Sequence, residues 1–267
     1  MQAPTEFWRD PAMPYAESRR ACDSRACYRP HSHTTFSIGA VDRGSSCFSG
    51  AGEGPVTLQV GTLVLVPAGR VHACNPAPGG AWSYQMLHLD TAWLKGVHAD
   101  YAGNAEEAAP IRIVAEPALY AGFCRLNTLL FSAADAEDKE AALIEFIGEA
   151  DGGQGLDIGG GAGARRGAPL QPVFEFLRNA PAVHTDLADL ARLAGMSRFQ
   201  LIRAFRAATG MTPHAWQLNR RINLARERLR AGESLADVAY RLGFADQAHF
   251  QRVFKAHAGV TPGRFRA

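Results

Sequence analysis

The last third of the chain carries one small helical unit twice, at a period of 48 to 49 residues. The first copy runs from Leu187 to Gly195 and then from Ser197 to Pro213; the second runs from Leu235 to Gly243 and then from Asp246 to Pro262. They share Leu187/Leu235, Ala191/Ala239, Gly195/Gly243, Arg203/Arg252, Phe205/Phe254, Gly210/Gly259 and a closing Thr-Pro. Leu187, Leu190 and Ala191 fall on one helical face by their spacing. Gly195 suits a left-handed helix end, and Ser197 and Asp246 are N-caps whose side-chain oxygens accept free amide hydrogens. Leu201 with Phe205, and Phe250 with Phe254, then bury one face of the second helix, so its polar residues face outward. A short helix, a glycine turn and a capped second helix make a helix-turn-helix, and that arrangement reads DNA.

Between the copies, His214 to Ala231 has no proline and no glycine, and Trp216, Ile222, Leu224, Ala225 and Leu229 alternate with arginines. One helix of about 18 residues would span roughly 27 Å. Such a rod could hold two recognition helices about one duplex turn apart, on the order of 34 Å. Charge agrees. Leu170 to Ala267 holds 15 Lys and Arg against 7 Asp and Glu, a net +8 that the whole-chain value of +2 conceals. A basic half beside an acidic half points to a polyanionic partner, here double-stranded DNA.

The two units, the Arg-Ile-Asn-Leu-Ala-Arg run at Arg221 to Arg226 and the Gly-Phe-x-Asp-Gln-x-His-Phe run at Gly243 to Phe250 resemble the DNA-binding domain of AraC-type transcription regulators. The resemblance covers Leu170 to Arg266 and implies a seven-helix domain that binds DNA with both units. The outward residues expected to contact DNA are Arg198, Phe199, Gln200, Ile202 and Arg203 on the first recognition helix. On the second they are Gln247, Ala248, His249, Gln251 and Arg252. By the resemblance, Phe199, Ile202 and Arg203 face the groove. Arginine can pair with guanine and glutamine with adenine, while apolar groups touch the thymine methyl; the shared Arg203 and Arg252 could equally hold phosphate.

Ahead of this domain, Ser37–Val41, Thr57–Val60, Thr62–Pro67 and Trp82–Leu89 read as short strands between glycine and proline turns, which indicates a sandwich or small barrel. His31-Ser32-His33, and Gly61, Pro67, Gly69, His72 and Asn75 after it, resemble the paired motifs of the cupin barrel. The resemblance implies an effector domain. His31, His33, His72, Cys74, Tyr84 and His88 are the candidate effector-binding residues. Three histidines could instead hold a metal, with Cys74, Cys27 or His88 as a fourth ligand. However, Thr34, Thr35, Phe36 and Ser37 stand where metal-binding cupins usually carry a glutamate. No metal, no cofactor and no catalytic residue is therefore expected.

Leu119, Phe123, Leu126 and Leu130, then Leu143, Phe146 and Ile147, repeat at helical spacing. They could cover the barrel; in the resembled family the equivalent helices pack against a second subunit, which implies a homodimer. Asp151 to Pro169 is rich in glycine and reads as a flexible linker with a mean reach of about 24 Å. Five dispersed cysteines without a CxxC pair, no signal peptide and no apolar run long enough for a membrane span give a cytoplasmic chain with reduced thiols.

The fold expected is α+β and multidomain. A cupin-like, jelly-roll effector domain occupies 1–112, amphipathic helices 113–150 and a linker 151–169. An all-α DNA-binding domain occupies 170–267, with helix-turn-helix units at 187–209 and 235–258. The function expected is sequence-specific transcription regulation controlled by a small-molecule effector. Two other classes stay open: a metal-dependent cupin enzyme fused to a DNA-binding domain, which predicts bound metal and turnover, and an architectural DNA-binding protein, which predicts binding without sequence preference.

Overall fold

The computed structural model describes residues 5–52, 54–99, 110–151 and 168–266. They divide into two compact units, one within Met1–Ala26 and His33–Ala162, the other within Cys27–Ser32 and Gly163–Ala267. Most of the glycine-rich stretch read as a linker, residues 152–167, lies outside the described residues.

The first unit is built on strands β1 (Thr5–Arg9), β2 (Ala16–Ser24), β3 (Phe36–Arg43), β4 (Ser46–Ser49), β5 (Val56–Leu58), β6 (Leu63–Val66), β7 (Ala73–Pro76) and β8 (Trp82–Leu89). Helix α1 (Thr91–Ala99), strand β9 (Arg112–Val114) and helices α2 (Pro117–Leu130) and α3 (Ala136–Asp151) follow. The strands form a six-stranded sheet in the order β1-β2-β8-β3-β6-β9 and a three-stranded sheet in the order β5-β4-β7, all neighbours antiparallel. This is the sheet-rich first domain that the turn-punctuated sequence calls for.

Burial explains the register. Ile38 on β3 lies opposite Leu65 on β6 and Leu87 on β8. These three share a core with Phe36, Leu63 and Leu89, and with Phe123, Leu126 and Leu130 of α2 and Leu143, Phe146 and Ile147 of α3. A register slip of one residue would turn this row away from the helices. The apolar stripes of α2 and α3 are thus spent on the sheet. Ser18 on β2 is pinned to Asn127 on α2 by a buried 2.5 Å hydrogen bond, and Tyr15 donates to Glu140 on α3 at 2.6 Å.

The second unit contains helices α4 (Gln171–Asn179), α5 (Leu187–Leu193), α6 (Arg198–Thr209), α7 (Pro213–Arg230), α8 (Leu235–Arg241), α9 (Gln247–Ala258) and α10 (Pro262–Arg266). Among the described residues these are seven α-helices, the number that the resemblance implies. Asp186, Ser197, Thr212, Ser234 and Asp246 each cap the helix that follows with a side-chain oxygen. Such caps contribute about 1 kcal/mol each. Around α6, Leu170, Val173, Phe174, Leu177, Leu190, Leu201 and Phe205 form one core. Around α9, Phe244, Phe250, Phe254 and Phe265 pack in a row of tilted and edge-on rings with centroids 5.1 to 5.6 Å apart. Gly243, in the turn between α8 and α9, has φ +70°, and a Cβ there would overlap the Ala182 carbonyl. The turn needs a glycine on both counts.

Candidate nucleic-acid interface and ligand pocket

Helix α6 starts with a complete capping box: the Ser197 side chain accepts from Gln200 N, and Gln200 Oε1 accepts from Ser197 N at 2.9 Å. Gln200 therefore spends its carbonyl oxygen on the helix start rather than on an outside partner. Arg198, Phe199 and Arg203 are exposed and Ile202 is half-buried. Phe199 is 68% exposed, and the Arg203 guanidinium lies over its ring at 5.5 Å. An apolar ring left in water and backed by a cation is an unusual surface for a solvated helix.

Helix α9 presents Gln247, Ala248 and Arg252 as exposed residues and Gln251 as half-buried. His249 is committed more locally: its Nδ1 accepts from Ala245 N at 3.4 Å, and its ring meets Phe244 edge-on at 5.6 Å. Several arginines of the basic half also act inside the fold. Arg221 donates to the backbone carbonyls of Pro181, Val183 and Gly243, and Arg220 donates to that of Arg178. On the two second helices of the repeat the exposed cations are Arg198, Arg203 and Arg206 of α6 and Arg252 and Lys255 of α9.

On the buried side of α9, His257 is 4% exposed and its Nδ1 pairs with Val253 O at 2.9 Å. Burial pushes its pKa below the ordinary imidazole value of 6.5, and Arg226 and Arg29 push it further down, against the backbone hydrogen bond. The imidazole is neutral when folded and takes up a proton more readily when unfolded. Its contribution to stability is complete above the unfolded value and is lost as pH falls toward the folded one. Urea midpoints at pH 7.5 and pH 5.5 are expected to differ more for the native chain than for His257→Asn; equal differences would remove His257 as the cause.

Of the candidate pocket residues, His72 and Cys74 lie at β7, Tyr84 and His88 on β8 and His33 shortly before β3, while His31 belongs to the second unit. A cavity of about 20 Å³ between the two sheets is lined by His72, Cys74 and Tyr84, together with Phe48, Leu58, Val64, Val66, Trp82, Gln85 and Met86. That is room for one water molecule. His33 and His88 do not line it. They form a ring cluster with His72 instead: His33 to His72 is 5.2 Å between centroids and His33 to His88 is 4.8 Å. Ser37 Oγ fixes His88 Nδ1 at 2.8 Å.

His31 is buried, with Nδ1 against Arg29 O at 2.7 Å. His33 and His72 belong to the first unit and His31 to the second, so the three histidines read as a possible metal set are divided between the two units. Burial raises the Cys74 thiol to about 12, partly offset by its 2.9 Å contact with Ser46 Oγ, so it stands there as a neutral thiol.

Sequence reasoning did not single out Trp82, Phe48 or Met86. The signal was the period of two along β8: Trp82, Tyr84 and Met86 line the cavity, whereas Leu87 and Leu89 belong to the helix-facing core. Trp82 carries a chemical mark as well, since its Nε1 is buried without a hydrogen-bond partner among the described residues. Leaving such a donor unmet costs about 1–3 kcal/mol. The Arg19 guanidinium sits over the neighbouring Tyr84 ring at 5.3 Å.

Residues 14–147 match the AraC-like ligand binding domain family, and residues 190–267 match a helix-turn-helix domain family. The uncharacterized HTH-type transcriptional regulator YbfI of Bacillus subtilis is 24% identical over 220 residues, covering 82% of this chain and 80% of that protein. The regulatory protein ada of Salmonella typhimurium is 42% identical over 80 residues, 30% of this chain and 23% of its own length. In structure, ToxT of Vibrio cholerae with a bound unsaturated fatty acid superposes with a TM-score of 0.58 at 13% identity, covering 100% of this chain and 96% of that one. A ligand-binding sheet domain followed by two capped helix-turn-helix units places the chain in the AraC family of DNA-binding transcription regulators.

Proposed function

We propose that the chain is a sequence-specific regulator whose hold on a promoter changes when a small, mainly apolar effector enters the first unit. The observation that carries this reading is the apolar cavity between the sheets with one unmet donor, Trp82 Nε1, in its lining. The effector would fill the space among Phe48, Leu58, Val64, Val66 and Met86 and offer an acceptor to the indole. Met86, with three rotatable bonds, is the lining residue best suited to make room. The fatty acid bound to ToxT is an apolar chain with an acidic head, a chemistry compatible with such a lining.

On the DNA side the reading assigns Phe199, Ile202 and Arg203 of α6, and Gln247, Ala248, Gln251 and Arg252 of α9, to the duplex. Arg198 serves phosphate, and Gln200 and His249 hold their helices in place. Helix α7, at 18 residues, spaces the two readers along one face of the duplex, roughly 27 Å at the rise of an α-helix. A homodimer belongs to the reading through the family; the stoichiometry of the protein–DNA complex reads it out.

Selection of random duplexes by the purified full-length chain at physiological salt tests the proposal. A bipartite site with half-elements about 10 base pairs apart is the expected product. Recovery of no preferred sequence would overturn it in favour of architectural binding.

A further inference from the structure

The six residues Cys27–Ser32 lie in sequence between β2 and β3 of the first unit, yet they pack as part of the second. Their contacts are specific. Ser32 N donates to Asn219 Oδ1 at 3.3 Å, and Asn219 Nδ2 donates back to Ser32 Oγ at 3.0 Å. Asn223 Nδ2 donates to Ser32 O at 3.0 Å. Arg29 N donates to the Ala256 carbonyl near the end of α9 at 3.3 Å. Tyr28, 8% exposed, covers Gly259, where a Cβ would overlap the phenol ring.

Asn219, Asn223 and Arg226 fall on one face of α7 by their spacing of four and three residues. Arg226 bridges Asn223 Oδ1 at 3.0 Å to the His257 carbonyl at 3.4 Å. The segment therefore touches the long helix and the end of the second recognition helix together. Asn219, 4% exposed, holds Ser32 through its side-chain amide, and burying that amide without those hydrogen bonds is costly.

We propose that Cys27–Ser32 is a strap that completes the second helix-turn-helix, and that its engagement sets the affinity of α9 for DNA. Docked, it fixes the C-terminal end of α9 against α7, so less ordering is left to be done on binding. Released, it leaves Asn219 and Gly259 uncovered and the helix end free to shift. The strap runs into His33 through one peptide bond, so a rearrangement of the His33, His72 and His88 cluster reaches it through the chain itself.

Amide hydrogen exchange on the full-length chain, with duplex binding measured alongside, tests this. The Arg29 amide is expected to exchange at least about 100-fold more slowly than in an unstructured peptide. Asn219→Ala with Asn223→Ala is expected to speed exchange in the strap and in α9, leave β3 and β8 unchanged, and weaken duplex binding about three- to tenfold. Tyr28→Ala leaves α7 intact and is expected to act in the same direction, which guards against misfolding of the double variant. Unprotected exchange at Arg29 in the native chain would overturn the proposal. So would a freed strap in Tyr28→Ala with duplex affinity within twofold of native.

Discussion

Replacing Phe205 with alanine is expected to cost the second unit about 3–5 kcal/mol and to abolish DNA binding at ordinary temperature. Phe205 is fully buried, its ring tilted against Phe174 at 4.7 Å and edge-on to Trp216 at 6.2 Å. Those two residues belong to α4 and α7, so its ring joins the entry helix, the first recognition helix and the scaffold in one contact. A domain is stable by only about 5–15 kcal/mol, so the loss takes a large share of the margin. Urea unfolding followed by helical circular dichroism reads the effect. Ile202→Ala, one turn back on the half-buried side of the same helix, is expected to leave the midpoint nearly unchanged. A cost below about 1 kcal/mol for Phe205→Ala would mean that the α6 core relaxes around the hole, and that the unit does not depend on this ring.

That residue was legible because the repeat places Phe205 and Phe254 at matching points, and caps, turn glycines and Thr-Pro terminators constrain helices locally. The same held for β3, β6 and β8, whose apolar residues alternate or run together. It did not hold for β1 and β2. The sequence AESRRACDS of β2 is rich in charge, and the residues it buries are Ala16, Ser18, Ala21 and Ser24 together with the charged Glu17. Its strand character comes from pairing with β1 and β8, which no local pattern announces. Helix α1, too, has no strong stripe and was not anticipated.

In the pocket, histidines drew the eye because they are chemically conspicuous, and His72 does line the cavity. Its walls also include Val41, Phe48, Leu58, Val64, Val66 and Met86, which read in sequence as ordinary core. The strap was out of reach for a different reason. Tyr28 to His33 has no periodicity, and Ser32 meets Asn219 across 187 positions. Only the folded chain brings them together. The arginine count, finally, overstated the DNA-facing charge, because a guanidinium that ties down three backbone carbonyls, as Arg221 does, looks in sequence like one that is free.

Arg252→Ala is expected to cost about 1–3 kcal/mol at the preferred operator and to relax selection at one base pair. The position is exposed on α9, one turn beyond Ala248 and on the face away from Phe250 and Phe254. Its counterpart Arg203 makes a useful contrast, since its guanidinium already rests on the Phe199 ring. A cation held flat on an aromatic face is pre-oriented, and the pair contributes about 0.5–1 kcal/mol at an exposed site. Arg203→Ala and Phe199→Ala are therefore expected to be non-additive in duplex binding, whereas Arg252→Ala and Phe199→Ala, on different helices, should add.

The salt dependence separates the two chemistries an arginine can perform. If Arg252 reads guanine, its loss flattens the preference at one position while the slope of log affinity against log salt stays the same. If it clamps phosphate, all sequences weaken alike and the slope falls by about 1. The second outcome would move sequence reading at this unit onto Gln247, Ala248 and Gln251, the remaining residues of α9 assigned to the duplex. It would also make the matching arginines of the two units a shared backbone grip, with specificity left to the residues in which the copies differ.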